Sequence, residues 1–367
     1  MEINYNIVSL IDTLGLIQGV ILGLLLIIIN RKKDKSTLFL GWFIIVYALN
    51  LLPAILEDLN ITTYYPQYNL LPFEFTWLLF PLFYIYVQQV SILSKNKLSY
   101  WTLIPGIAEF IIGVFVFFQD NDSKTTIEES LWYNLILLGG VLFSFFIGFR
   151  TLNFIKKHTK ELKDQYTSTE YRELRWARGF VGFGLLLTFV AIASEFFDTG
   201  FYFHLTLSTI NVMLLYWISV RGILQQNVKT LIPIEDSEKT TDKRDKANDS
   251  LINNESTTQL LQEIEKFIQD EKVYTVPDLT IIDIAEKIGA HPKRISGVIN
   301  SQLNQNFNSY INSFRVEKAK ELLRSDIANS LSVEGIGNEV GFQSKSTFYD
   351  AFRKYTGTTP SRFKNSE

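Results

Sequence analysis

The chain has 367 residues, of which 47% are hydrophobic and 20% charged, with 29 Phe and 17 Tyr. A net charge of -3 excludes a uniformly basic nucleic-acid binder, and the absence of cysteine excludes disulfides, thiolate metal sites and cysteine catalysis. The three histidines, His158, His204 and His291, are scattered, so neither a metal cluster nor another cofactor is expected.

These averages hide a division. Residues 1–224 are a series of long apolar runs, whereas 225–367 read as an ordinary soluble polypeptide. A spanning helix needs roughly 20 mostly apolar residues to cross about 30 Å of hydrocarbon. Seven stretches meet this: 7–29, 36–57, 70–93, 100–118, 131–155, 176–197 and 201–223. The first is longer than a signal-peptide core and lacks a small-residue cleavage site, so it reads as a retained helix. Pro72 and Pro81 interrupt the third and are expected to kink it.

Positive charge alternates from loop to loop. Arg31, Lys32, Lys33 and Lys35, then Lys95 and Lys97, then Lys156, Lys157, Lys160, Lys163, Arg172 and Arg175 fill the first, third and fifth loops. The opposite loops hold only Lys124. By the positive-inside rule the N-terminus is outside and everything after the last span is cytoplasmic. That makes the chain a multi-pass membrane protein in contact with the lipid bilayer, with a cytoplasmic C-terminal part.

Gly15, Gly19 and Gly23 repeat at four-residue spacing in the first span, as do Gly140, Ser144 and Gly148 in the fifth. Small residues so spaced let helices approach closely. Packing inside the bundle is the simpler reading, and a homodimer seam is the other. Asp12, Glu57, Glu74, Glu109 and Glu195 lie in or near the spans, with His204 early in the seventh. Ionisable groups in hydrocarbon are costly. Asp12, Glu57 and Glu195 fit as helix-end residues, while Glu74, Glu109, Glu195 and His204 are the candidates for a ligand pocket open to the outside.

Residues 225–255 are polar, of mixed charge and without helical periodicity after Ile234. Such composition reads as a flexible tether, whose roughly 30 residues span about 30 Å root-mean-square. From Thr257 amphipathic spacing begins. Leu260, Leu261, Ile264, Phe267 and Ile268 mark one helix. Thr280 caps a second, which carries Ile281, Ile284, Ala285 and Ile288 and ends at Gly289; Pro292 opens a third. This is helix, tight turn, helix. The layout recurs: Ser332 caps a helix with Val333, Ile336 and Val340, Gly341 turns the chain, and Ser344 or Ser346 starts a helix with Phe348, Phe352 and Tyr355. A longer helix near 308–324 joins the two motifs.

The stretches LTIIDIAEKIGAHPKRISGVIN, FNSYINSFRVEKAKELL and SVEGIGNEVGFQSKSTFYDAFRKYTGTTPSRFK resemble the DNA-binding domain of the AraC/XylS family of bacterial regulators. The resemblance covers 257–364, under a third of the chain, and its multi-span N-terminus resembles membrane-bound members of that family. It implies two recognition helices in adjacent major grooves of double-stranded DNA, and regulation of promoters. In the first, Lys293, Arg294, Ser296, Gly297 and Asn300 face outward; in the second, Lys345, Ser346, Tyr349, Asp350 and Arg353. Lys reads guanine, Asn reads adenine, and Asp accepts from cytosine. Lys318, Arg353, Lys354, Arg362 and Lys364 suit phosphates, which position without specifying. Between 293 and 364 eleven Lys/Arg face six Asp/Glu, a local net of +5. Gly335 and Gly337 depart from good helix formers and are expected to leave their helix frayed, at about 1 kcal/mol each relative to Ala.

The whole reads as all-α: a seven-helix transmembrane bundle (1–224, sensor and anchor), a linker (225–255), and a small soluble helical domain with two helix-turn-helix motifs (256–367). No HExxH, GxSxG or phosphate-cradling GxxxxGK(S/T) is present, so no catalytic residues are assigned. A membrane transporter or enzyme with an accessory DNA-binding tail is the alternative. It lacks a matched pair of interrupted helices.

Overall fold

The computed structural model describes residues 5–29, 36–93, 98–170, 172–194, 197, 200–225 and 254–365. These are helices and irregular connections; among them the single extended pairing is an isolated antiparallel bridge between Tyr166 and Thr280. Most of the expected tether, and Glu195, lie outside the described residues. The chain divides into two compact units, Met1–Lys157 with Leu174–Val228, and His158–Glu173 with Lys229–Glu367.

In the first unit the helices are α1 (Ile7–Ile29), α2 (Ser36–Leu49), α3 (Leu52–Asp58), α4 (Leu79–Val90), α5 (Ile104–Phe117), α6 (Asn121–Glu128), α7 (Leu131–Gln165), whose residues after Lys157 belong to the second unit, α8 (Arg175–Ser194) and α9 (Phe201–Leu224). Six stretches among the described residues are long and apolar enough to cross a membrane: Ile7–Ile28, Thr37–Asp58, Tyr100–Phe117, Leu131–Gln165, Arg175–Ser194 and Phe201–Leu224. Large apolar residues on them, such as Ile17, Ile21, Phe115, Leu142 and Phe189, are exposed. Phe43, Phe83 and Phe180 meet ring against ring at the centre, with centroids 4.6–5.6 Å apart.

The expected third span departs from this pattern. Only Leu79–Val90 is helical there, a 12-residue helix of about 18 Å, too short to cross about 30 Å of hydrocarbon alone. Pro72 lies in the irregular approach, Leu70 adopts a left-handed φ of 54°, and the chain becomes helical only just before Pro81. Irregular backbone at membrane depth is tolerated where the protein itself satisfies it. Asn50 Oδ1 accepts from the Phe75 N–H at 2.9 Å, Glu109 Oε2 accepts from the Trp77 N–H at 3.2 Å, and Ser144 Oγ donates to the Thr76 carbonyl at 2.8 Å. The broken segment is thus pinned by three polar side chains, Asn50 from the turn between α2 and α3, Glu109 from α5 and Ser144 from α7.

The small-residue stripes are filled inside the bundle. A Cβ on Gly19 would lie 2.6 Å from Ala48 and 2.8 Å from Leu215, and one on Gly23 2.8 Å from the Gly41 carbonyl oxygen. A Cβ on Gly140 would meet the Trp77 indole at 2.7 Å. The first stripe therefore seats α2 and α9, and the second seats Trp77. Asp12, expected at a helix end, is buried instead, and its Oδ2 accepts from Ser208 Oγ of α9 at 3.0 Å.

The second unit holds α10 (Asn254–Asp270), α11 (Ile281–Ile288), α12 (Pro292–Leu303), α13 (Phe307–Leu323), α14 (Val333–Glu339), α15 (Lys345–Thr356) and α16 (Pro360–Lys364). Two cores form along α13. Phe307, Tyr310 and Ile311 pack with Leu260, Ile264, Ile284, Ile295 and Ile299, while Val316, Ala319 and Leu323 pack with Ile336, Phe342, Phe348 and Phe352. Each fully buried apolar side chain contributes about 1.5–3 kcal/mol, so α13 is the beam on which both halves are built. α7 runs ten residues past the expected end of the fifth span. Its polar continuation keeps good helix formers and buries Leu162; loss of hydropathy ends a span without ending a helix.

Candidate nucleic-acid interface

The first motif is assembled by local rules. Thr280 and Asp283 form a reciprocal capping box at the start of α11, and the chain turns at Gly289 in the left-handed conformation. Pro292 occupies the first turn of α12, and His291 Nδ1 accepts from the Lys293 N–H at 3.3 Å. Ile295, Val298 and Ile299 anchor α12 in the core. Helical periodicity then turns the other face outward: Lys293, Arg294, Gly297 and Asn300 are exposed and Ser296 half-buried. Asn300 Nδ2 donates to the Ser296 carbonyl at 2.9 Å and to Asp164 Oδ1 at 3.3 Å. Arg294 donates to Ser256 Oγ at 3.2 Å.

The second motif follows the same logic. Ser332 Oγ caps α14 by accepting from the Gly335 N–H at 2.9 Å, and Ser344 caps α15. Gly337 proves to be a packing residue, because a Cβ there would lie 2.7 Å from the Phe348 ring. The fraying expected of α14 is replaced by close contact with α15. Gly341, at φ +99°, turns beneath the Tyr274 carbonyl, which a Cβ would approach to 2.6 Å.

On α15, Lys345, Ser346, Asp350 and Arg353 are exposed. Tyr349, expected to face outward, is half-buried, with its hydroxyl 2.9 Å from Ser361 Oγ. Lys345 pairs with Glu334 at 2.6 Å, and that carboxylate holds the ammonium above its usual pKa range. Of the phosphate candidates, Arg353, Lys354 and Arg362 are exposed. Lys318 pairs with Glu321 at 2.6 Å, Lys354 donates to Ser309 Oγ at 3.1 Å, and Lys364 donates to the Ala328 carbonyl.

One site residue is not visible in either motif. Arg315 of α13 is almost wholly buried. It donates to the carbonyls of Tyr274 and Val276 at 2.6 and 2.7 Å and lies over the Phe342 ring at 5.5 Å. Burial pushes its guanidinium down to about 10. The sequence signal was an arginine set among apolar positions of an amphipathic helix.

A family model described as a helix-turn-helix domain matches residues 284–366, both motifs and the beam between them. The C-terminal domain is an AraC-family helix-turn-helix domain. This AraC-family domain is similar to the Msm operon regulatory protein of Streptococcus mutans, 28% identical over 30% of this chain and 38% of that protein. It is similar to the melibiose operon regulatory protein of Escherichia coli, 31% identical over 23% of this chain and 28% of that protein. It also matches an uncharacterized HTH-type transcriptional regulator of Bacillus subtilis, YtdP, at 23% identity over 24% of this chain and 11% of that protein. The match therefore spans well under half of each relative, and the family model lies wholly within the second unit.

Of the residues expected to bind a ligand, Glu74 and Glu109 interact with each other and with Tyr133 in the apolar unit. Glu109 is occupied with the Trp77 N–H, and Glu74 hydrogen-bonds Tyr133. His204 lies beside Asp58. A cavity of about 230 Å³ in this unit has aromatic walls, Phe43, Phe80, Phe83 and Phe180, with Tyr47, Thr188 and Asn211 as polar lining; Glu74, Glu109 and His204 are not among its lining residues. Among the described residues no three His, Asp or Glu side chains are grouped to hold a metal.

Proposed function

We propose that the chain is a one-component, membrane-anchored transcription regulator. It binds promoter DNA sequence-specifically through α12 and α15, in response to a signal received by the helical bundle. The reading is carried by one observation: two separately capped helix-turn-helix motifs, fixed to a shared helix α13, each presenting an exposed polar or basic recognition face. Lys293, Ser296, Gly297 and Asn300 of α12, and Lys345, Ser346 and Asp350 of α15, are the base-facing set. Arg294, Arg353 and Arg362 contact phosphates. Tyr349 supports α15 from behind.

The anchor lies in a bacterial inner membrane with its C-terminus in the cytoplasm, which the alternation of positive charge among the loops supports. The aromatic cavity suits a small, mostly apolar molecule with one hydrogen-bonding end.

Selection of duplexes from a random-sequence pool by the full chain in lipid nanodiscs tests the reading. A two-part motif should emerge, its halves about one helical turn apart. Recovery of unselected sequence after repeated rounds would contradict it.

A further inference from the structure

The C-terminal end of α7 from His158, with the segment that joins it to α8 up to Glu173, is part of the DNA-binding unit. Leu162, Gln165, Tyr166, Thr167, Ser168 and Thr169 are all buried. Burying hydroxyl groups is costly unless they find partners, and three of these do. The Thr167 N–H and Oγ1 both donate to the Leu279 carbonyl, at 3.2 and 2.8 Å. Ser168 Oγ donates to Gln343 Oε1 at 2.5 Å, and Thr169 Oγ1 to Glu173 Oε1 at 2.8 Å.

The segment is held from the other side too. Asn308 Nδ2 donates to the Thr167 carbonyl at 2.6 Å, and Arg172 makes a two-point pair with Asp278, both contacts at 2.8 Å. Charge-assisted, bidentate pairs are the strong and directional ones. The partners belong to both motifs: Asp278 and Leu279 lead into α11, Asn308 lies on α13, and Gln343 stands in the turn before α15. At its start the segment places Asp164 against Asn300, on the outward face of α12.

A carboxylate on that face repels the phosphate backbone, and an amide held by a carboxylate is not free to read adenine. DNA and Asp164 compete for the same side chain. We infer that residues 158–173 are a latch: they hold the two motifs in a state of low DNA affinity, and DNA binding requires Asp164 to leave α12. The latch is covalently continuous with α7 and α8, so a change in those two helices reaches it directly. This inference rests on the DNA-binding reading above.

The test uses the full chain in nanodiscs and one duplex taken from the selected pool. R172D breaks the pair with Asp278 and adds negative charge, which by simple electrostatics weakens DNA binding. The latch makes the opposite prediction, a gain of about tenfold in affinity, with the R172D/D278R double variant returned to the wild-type value. Equal or weaker binding by R172D overturns the latch. Should R172D fail to fold, D164N takes its place, with a gain of about fivefold expected and no change overturning the proposal. Absence of DNA binding by wild type and every variant alike overturns the regulator reading itself, a result distinct from equal binding.

Discussion

Arg315 donates to the Tyr274 carbonyl oxygen at 2.6 Å across the junction of the two helix-turn-helix cores. The same guanidinium reaches Val276 and covers Phe342, so one buried cation fastens the turn before the first motif to the plug of the second. With burial lowering its pKa only to about 10, it stays charged at neutral pH. Arg315→Met takes the guanidinium donor from the buried Tyr274 carbonyl, at about 1–3 kcal/mol, while the Val276 carbonyl keeps the Leu279 N–H. Denaturant unfolding of the second unit should shift by roughly 1–3 kcal/mol, and DNA affinity should fall with it. A shift under about 0.5 kcal/mol, the range of ordinary surface substitutions, would contradict this role.

Gly337→Ala separates two physical effects of opposite sign. Helix propensity favours Ala by about 1 kcal/mol. The added methyl, 2.7 Å from the Phe348 ring, overpacks at a cost of about 1–3 kcal/mol. The account predicts net destabilisation of the DNA-binding unit in a thermal melt; stabilisation would restore the view that this glycine merely weakens α14.

Glu109→Ala and Glu109→Gln distinguish a backbone clamp from a charged ligand site. Gln keeps an oxygen able to accept from the Trp77 N–H, whereas Ala leaves that N–H unpaired, at about 1–3 kcal/mol. Resistance of the bundle to heat in detergent should be near wild type for Gln and reduced for Ala. Equal stability of all three proteins would remove the clamp.

Lys293→Ala and Arg353→Ala should fail differently on DNA. A base contact carries about 1–3 kcal/mol of discrimination, so loss of Lys293 should relax preference at one position of the selected site. Loss of Arg353 should weaken all sequences alike and reduce the slope of log K against log salt by about 0.9. Binding curves at several salt concentrations, on the selected site and on scrambled duplex, show whether the two behave as assigned.

Both motifs could be read from the sequence because every signal in them is local: Thr280 and Ser332 as caps, Pro292 at a first turn, apolar residues at helical spacing. The long apolar runs were legible for the same reason. The latch was not, because Thr167, Ser168 and Asp164 are ordinary loop and helix-end residues whose partners lie more than a hundred positions away. The lysine-rich segment around them also carried a complete explanation of its own, as a positively charged membrane-flanking loop. Glu109 was legible only in part. A carboxylate in an apolar span suggested a ligand, and its hydrogen bond to the N–H of a neighbouring broken segment was not visible, because hydropathy does not show where a run of apolar residues stops being helical. Tyr349 had outward spacing on α15, and only the packing of α16 shows that its hydroxyl turns to Ser361.

The central claim is that α12 and α15 engage DNA together. Hydroxyl-radical footprinting of the full chain in nanodiscs on a selected duplex tests it most directly. Two protected patches about 10 base pairs apart on one face of the helix are predicted, with Lys293→Ala thinning one and Lys345→Ala the other. A single patch, or protection unchanged by both substitutions, would contradict the account.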